Sequence, residues 1–143
     1  MAVVYKTVLI NYSVQQMFAL VDDVESYPEF LPWCGGVDVQ ERQDDRLKAN
    51  LKINYHGLQQ SFTTENINHP PSSMTMCLVE GPFKYFEARW NFKPLRDDAC
   101  KIEFNMQYEF SNRILDLVIE PVFSMIANSF VDSFCKRAHN IYD

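Results

Sequence analysis

The chain has 143 residues, of which 47% are hydrophobic and 22% are charged, and this composition predicts one globular domain over residues 1–143. Its 19 acidic residues outnumber its 13 basic ones and give a net charge of −6, which argues against DNA binding. Four cysteines outside any CxxC pair, only three histidines and no signal-peptide pattern favour a reduced, cytoplasmic protein without a metal site.

The first part of the chain predicts one strand and two short helices. Residues 3–10 are β-branched and aromatic, which is typical of a strand. Ser13 and Gln16 have capping-box spacing, and the apolar residues that follow predict an amphipathic helix over about 13–22. A second short helix is predicted over 24–29, before two prolines end the regular structure.

The middle of the chain alternates between apolar and polar residues. Clear alternation predicts strands over 47–55, 84–92 and 100–110, and weaker patterns predict strands over 37–43, 58–68 and 73–79. Strands with one apolar face are typical of an antiparallel sheet that has one side in water.

The last segment changes to helical spacing. Apolar residues at intervals of three and four run from Leu115 to Ile141 and predict one helix of about 30 residues, about 45 Å long. Ser111 is the predicted N-cap, and Pro121 is expected to kink or interrupt the helix. The apolar stripe of this helix must pack on the apolar face of the sheet, so we expect an α+β fold. The space between them is either filled by side chains or left as a ligand cavity.

Several motifs carry a family resemblance. They are Asp23-Val24-Glu25-Ser26-Tyr27-Pro28-Glu29-Phe30-Leu31-Pro32-Trp33-Cys34, Phe62-Thr63-Thr64-Glu65-Asn66, Gly81-Pro82-Phe83, Trp90-Asn91-Phe92 and Arg137-Ala138. Together with the element order, they resemble the START-like (Bet v 1-like, SRPBCC) helix-grip superfamily over residues 4–142. Within it the chain is similar to the coenzyme-Q-binding START proteins. Bacterial members of that group are also described as ribosome association toxins or as polyketide cyclase/dehydrase-like proteins.

The resemblance implies a fold and three candidate functions. The fold is a curved antiparallel sheet of about seven strands around a long C-terminal helix. The first function is non-enzymatic binding of a hydrophobic ligand, a polyprenyl quinone such as ubiquinone, as a carrier or chaperone for respiration. No other cofactor is expected. The second is a toxin that binds the large ribosomal subunit and blocks subunit joining. The third is a cyclase/dehydrase-like enzyme, although the sequence has no nucleophile elbow and no HExxH motif.

A pocket for such a ligand would have apolar walls and a few polar groups. The candidate ligand-binding residues lie on the alternating strands and on the C-terminal helix: Leu51, Ile53, Phe62, Thr64, Phe86, Trp90, Phe104, Met106, Val118, Val122, Ile126 and Phe130. Gln60, Thr64, Asn66 and the Trp90 indole are candidate donors to a quinone carbonyl. The alternative is that these side chains are ordinary core.

Two loops are candidate gates at the mouth of this pocket. Their residues are Tyr27, Pro28, Phe30, Pro32, Trp33, Gly81, Pro82 and Phe83. Each loop is equally consistent with a packed plug or, for the second, with a simple turn.

Two further partners are open to prediction. Exchange of a lipid-like ligand would involve transient contact with a membrane. Ribosome binding would need a basic surface, for which the candidates are Lys48, Lys52, Lys84, Arg89, Arg113, Lys136 and Arg137. Ordinary solvated surface is the alternative for all seven, and the sequence leaves the oligomeric state open.

Overall fold

Seven antiparallel strands form one curved sheet in the computed structural model, which describes residues 1–143. Their bounds are β1 Ala2–Ile10, β2 Cys34–Arg42, β3 Arg46–Tyr55, β4 Leu58–His69, β5 Ser73–Glu80, β6 Phe83–Arg96 and β7 Ala99–Phe110. The order across the sheet is β1-β7-β6-β5-β4-β3-β2, so β1 and β2 are the edge strands. The predicted α+β class and antiparallel sheet are confirmed.

Four helical segments accompany the sheet: α1 (Val14–Asp22), a 3-10 helix (Val24–Glu29), α2 (Arg113–Val118) and α3 (Glu120–Tyr142). The Ser13 hydroxyl accepts the N–H of Gln16, and the Gln16 side chain accepts the N–H of Ser13, so the predicted capping box is confirmed. No helix combines the length and the hydropathy that a bilayer crossing needs.

Alternation along the strands sorts side chains between the two faces of the sheet. Trp90 in β6 is in register with Met74 in β5 and Phe104 in β7, and all three are fully buried. Arg89, one residue earlier, is exposed on the opposite face. The six strands predicted in the middle of the chain are confirmed, and β6 continues past its predicted end at residue 92 to Arg96.

The predicted C-terminal helix is divided in two. The N-cap of α2 is Asn112 and not the predicted Ser111. The Asn112 backbone is extended, and its side chain accepts the N–H of Leu115 in the first turn. The N–H of Ser111 donates instead to the loop before β6. The break falls at Ile119, two residues before Pro121, because proline lacks the N–H and clashes with the preceding turn. Val118 therefore belongs to a separate short helix and is exposed, so its predicted place in the pocket lid is wrong.

The apolar side of α3 is buried in the concave side of the sheet through aromatic contacts. The Phe130 ring lies 5.7 Å from Trp90 and 5.6 Å from Phe104, measured between centroids. Phe134, one turn later, lies 5.3 Å from Trp90 and 5.3 Å from Tyr27, which is part of the 3-10 helix. Each such pair adds about 0.5–1.5 kcal/mol to the free energy gained from buried area.

The C-terminal end of α3 is fixed to the start of the chain. The Tyr12 hydroxyl contacts His139 Nδ1 at 2.8 Å and donates to the Asp143 carboxylate. The Tyr142 hydroxyl donates to a backbone carbonyl of α1 at 2.9 Å. Ile141 is exposed, although the sequence pattern places it on the apolar stripe, because its neighbour Tyr142 occupies the side of the last turn that faces α1.

Candidate ligand-binding site

A small cavity lies between α3 and the concave side of the sheet. It has a volume of about 20 Å³, and all 11 side chains that line it are hydrophobic. They are Trp33, Leu51, Ile53, Phe62, Met76, Phe86, Met106, Phe123, Ile126, Ala127 and Phe130. A space of this size holds about one water molecule, whereas ligand pockets have volumes of about 300–1,000 Å³. The structure is therefore a closed form whose aromatic side chains occupy most of the interior.

The cavity includes some of the predicted pocket residues and leaves others out. Those that line it are Leu51, Ile53, Phe62, Phe86, Met106, Ile126 and Phe130. Trp90 and Phe104 are fully buried on the far side of Phe130. Val122 is half-buried at the edge of the core and does not reach the cavity.

Met76, Phe123 and Ala127 line the cavity without having been predicted. The spacing of four between Phe123 and Ala127, and of three between Ala127 and Phe130, is the helical signal that could have identified them. Met76 lies in one of the weakly patterned strands, in register with Ala88 in β6.

Two buried indole groups near the cavity have no hydrogen-bond acceptor. Trp33 and Trp90 are 4% and 0% exposed, and the Nε1–H of each is unpaired. Their rings lie 5.9 and 5.7 Å from Phe130. A buried donor without a partner costs about 1–3 kcal/mol, so both indoles are available to a ligand acceptor.

A polar strip on β4 faces the same interior. The Thr64 hydroxyl donates to Asn66 Oδ1 at 3.1 Å, and both residues are 1% exposed. Asn68 donates to Asp22 of α1 at 3.0 Å, while its own Oδ1 has no partner. Gln60 is half-buried opposite Ile53 near the start of β4, where it lines a polar groove and not the cavity. The strip therefore places Thr64, Asn66 and Asn68 on the concave side, and the Thr64 hydroxyl is already hydrogen bonded there.

The first predicted gate loop is packed against α3. Tyr27 is fully buried, and its hydroxyl donates to the Val21 carbonyl. Burial raises the pKa of the Tyr27 phenol well above its usual range. Trp33 is buried against Phe130, while Pro28 and Pro32 are exposed on the outer side of the loop. In this structure the loop is a plug.

The second predicted gate loop is short and tightly packed. A Cβ on Gly81 would lie 2.6 Å from the Cβ of Phe62, so this close approach needs glycine. The Pro82 carbonyl accepts the N–H of Ser111 at 2.9 Å. Phe83 is buried and stacks on Phe110 with a centroid distance of 4.9 Å. This loop closes the end of the core beside the start of α2.

Arg137 joins α3 to the plug. Its guanidinium lies 5.0 Å from the centroid of the Phe30 ring and donates to Glu29 at 3.2 Å. The Arg137 side chain is only 18% exposed, so it is shielded from water better than a typical surface ion pair. Phe30 also packs on Phe134 at 5.1 Å. These contacts form a latch, defined here as Arg137, Glu29 and Phe30, that holds the plug over the interior.

The cysteine thiols and tyrosine phenols in the core are held in their uncharged forms. Burial raises the pKa of the Cys100 thiol to about 11 and also raises the pKa values of the Cys34 and Cys135 thiols. Burial and a hydrogen bond to Glu120 raise the pKa of the Tyr108 phenol. No group of three or more His, Cys, Asp or Glu side chains is placed to hold a metal ion.

An apolar stripe is exposed where α2 meets α3. It consists of Ile114, Leu117, Val118 and Met125, with Ile114 and Leu117 more than 70% exposed. Met125 lies on α3, the helix whose buried residues Phe123 and Ile126 line the cavity, whereas the other three lie on α2. The stripe therefore adjoins the helix that covers the candidate site.

The predicted basic residues do not form one surface. Arg137 is part of the latch, while Arg89 and Lys84 lie 4.0 Å from Glu87 and Glu109. Lys52 has no acidic partner and lines a polar groove of about 570 Å³ between the ends of β2, β3 and β4. The groove is completed by Gly35, Ile53, Asn54, Gln59, Gln60 and Ser61. Lys48, four residues before Lys52 on β3, also forms no ion pair, although it is in register with Glu41 on β2 and Glu65 on β4.

Comparisons with known proteins agree with the resemblance found in the sequence. A family model described as polyketide cyclase / dehydrase and lipid transport matches residues 10–135. The ribosome association toxin RatA of Vibrio cholerae is 38% identical over 139 residues, covering 97% of this chain and 96% of that protein. The mitochondrial coenzyme Q-binding protein COQ10 of Drosophila melanogaster is 30% identical over 141 residues, covering 96% of this chain and 55% of that protein.

The fold is also similar to that of solved structures. The Zhui aromatase/cyclase from Streptomyces sp. R1128 superposes with a TM-score of 0.85 at 13% identity, covering 96% of this chain and 93% of that one. At this identity the similarity shows the helix-grip fold alone. The predicted fold and the predicted superfamily are confirmed.

The latch generates a prediction. Replacing Arg137 by Ala removes the cation–π contact and the ion pair, so we expect the free energy of unfolding to fall by about 1–2 kcal/mol. Amide hydrogen exchange in residues 24–33 is expected to become faster. The Arg137→Lys variant keeps the charge but loses the planar contact and should be intermediate.

Arg96→Ala is the matched control, because Arg96 forms an ion pair with Asp98 on an exposed turn. Unchanged exchange over residues 24–33 in the Arg137→Ala protein would show that the plug is held by its buried aromatics alone.

Proposed function

The chain belongs to the polyketide cyclase / dehydrase and lipid transport family, and from this premise we propose that it binds a polyprenyl quinone in its interior as a carrier for respiration. The quinone is a ligand and not a permanently held cofactor. The name of the COQ10 relative, a coenzyme Q-binding protein, supports this choice of ligand.

One observation carries the proposal: a cavity lined only by apolar side chains lies against Phe130, and Phe130 contacts two indoles whose N–H groups have no acceptor. A quinone ring is flat and apolar and has carbonyl acceptors. In place of the Phe130 ring, it would contact the same aromatic residues and accept hydrogen bonds from Trp33 and Trp90. The isoprenoid tail is too large for the cavity and would protrude.

Ligand entry requires the closed interior to open. The volume of about 20 Å³ must increase by more than tenfold to reach the size of a small-molecule pocket. Movement of Phe130 together with the N-terminal half of α3 enlarges the cavity without breaking a strand. The plug and the latch would control this step.

Ligand exchange would take place at a lipid surface. The exposed stripe of Ile114, Leu117, Val118 and Met125 has apolar side chains of the kind that enter the headgroup boundary of a bilayer. It borders the helix that lines the cavity, so contact with a bilayer would bring the ligand site next to the lipid phase.

We propose binding without catalysis. None of the 11 side chains that line the cavity can exchange a proton near neutral pH, and acid–base catalysis needs such a group within reach of the substrate.

A second candidate function is binding to the large ribosomal subunit. It is favoured by the relatives named ribosome association toxin from Vibrio cholerae, Escherichia coli and Pseudomonas aeruginosa, which are 37–39% identical and match over nearly the whole chain. On this chain the polar groove beside Lys52 is the surface that suits it, because Lys52 lines the groove and forms no ion pair.

The quinone proposal predicts a specific loss of affinity. Titration with decylubiquinone should show binding by the wild-type chain. Trp90→Phe keeps an aromatic ring but loses the N–H, and we expect about tenfold weaker binding. Trp90→Ala should bind more weakly still, while Lys48→Ala should match the wild type. Equal affinities for all four proteins would contradict the pocket assignment. Extraction of the protein from its own host should also yield a stoichiometric isoprenoid quinone by mass spectrometry.

The membrane step predicts a separate effect on transfer. Leu117→Asp should slow decylubiquinone transfer between phosphatidylcholine vesicles at least tenfold. Burial of the leucine side chain in the bilayer contributes about 1.5–3 kcal/mol, and the substitution removes this contribution from the membrane contact. Its affinity for decylubiquinone should be unchanged. Leu95→Asp, a control at an exposed apolar residue of β6, should transfer at the wild-type rate. Equal rates for the two variants would exclude the stripe as the site of membrane contact.

If the chain binds the ribosome, association should depend on the basic residues of the surface and not on the interior residue Trp90. The double charge reversal Lys48→Glu with Lys52→Glu should abolish salt-sensitive co-sedimentation with large ribosomal subunits, because phosphate contacts depend on positive charge. Trp90→Phe should leave it unchanged. Lys101→Glu on β7 is the matched control. Co-sedimentation that survives the double reversal would assign the ribosome contact to another surface.

A further inference from the structure

The two edge strands of the sheet differ in how they are protected. β2 is broken by register shifts at Cys34/Gly36 and Val39/Glu41, ends in charged residues, and is covered by the 3-10 helix. Such features prevent an edge strand from pairing with another chain. The free edge of β2 is therefore a poor template for further strands.

β1 has none of these features. It pairs with β7 through nine consecutive residue pairs without a register shift. Its sequence contains no proline, no glycine and no acidic residue, and its only charge is Lys6. As an edge strand, it has a backbone neighbour on one side only, so alternate N–H and C=O groups point away from the sheet.

The outer face of β1 is also apolar. Val3, Tyr5 and Leu9 are 61%, 56% and 68% exposed. The next strand inward has the polar residues Lys101, Glu103, Asn105, Gln107 and Glu109 on the same face. An apolar centre with a polar rim is the usual composition of a protein interface.

We propose that the free edge of β1 pairs antiparallel with β1 of a second copy of this chain, so that two seven-stranded sheets become one. An antiparallel strand edge is complementary to itself about a two-fold axis, because each free N–H meets a C=O of the partner. A strand without acidic residues is also where two chains of net charge −6 approach with the least repulsion.

The side chains restrict the register of this pairing, and a register centred on Tyr5 satisfies them. With Tyr5 on the two-fold axis, Tyr5 faces Tyr5, Val3 faces Thr7, and Leu9 faces Met1 of the partner chain. Lys6 then faces Val4 and not a second Lys6. Aromatic and β-branched pairs stabilise neighbouring strands, whereas like charges opposite each other destabilise them. Centring the pair on Lys6 would place two ammonium groups together and is excluded.

The test is the oligomeric state of the full chain in sedimentation equilibrium. The wild type should form a dimer at tens of micromolar protein. Tyr5→Lys should be monomeric under the same conditions, because it places two positive charges on the axis. Tyr5→Glu should also be monomeric, because it places two negative charges there. An equimolar mixture of the two variants should recover the dimer, since the opposite charges then face each other.

Two controls separate pairing from folding. Tyr5→Phe keeps the apolar contact and should remain dimeric, and Val79→Lys, at an exposed apolar residue of the inner strand β5, should also remain dimeric. Melting temperatures of all variants show whether each is folded. A monomeric wild type at 100 micromolar, a dimer that persists in folded Tyr5→Lys, or a mixture that stays monomeric would each overturn the proposal.

Discussion

The fold depends on burying one apolar sheet face against one helix. Seven strands put their inner side chains on a single concave side, and α3 is the only long helix that can cover it. The contacts of Phe130 and Phe134 with Trp90 are the centre of that packing. The plug, the short loop before β6 and the C-terminal contacts of α3 all close the margins of this one interface. Any ligand must therefore compete with core side chains for the same space.

That competition explains why the interior combines tight packing with unsatisfied polar groups. A core optimised only for stability would have no indole N–H without an acceptor, since each costs free energy. Trp33 and Trp90 are instead held at that cost beside a replaceable ring, Phe130. The latch supplies stability at the surface, where Arg137 can release Phe30 without disturbing the sheet. Under the proposed function, closed packing and ligand binding are two states of one interface.

Period-two alternation made most of the sheet predictable, because each inner strand has one buried face. The division of the C-terminal helix was less predictable: Pro121 indicated an interruption, but the break at Ile119 depends on the preceding turn. Among the candidate site residues, alternation identifies which side chains face inward, but it does not identify which of them reach the cavity. Trp90 and Leu51 both face inward, yet only Leu51 lines the cavity. That difference depends on where α3 lies against the sheet. Tertiary packing sets this position, and local sequence periodicity does not predict it.

The fixed C-terminal end of α3 is a point about which the rest of the helix can rotate. His139 and Tyr142 are held to the first part of the chain, whereas the N-terminal end follows a break in the backbone. Ile126 lies 13 residues before His139, or about 20 Å along the helix at 1.5 Å per residue. A rotation about the fixed end therefore displaces the side chains that line the cavity far more than those near the pivot. A tilt of about ten degrees would move Ile126 by roughly 3–4 Å over that length.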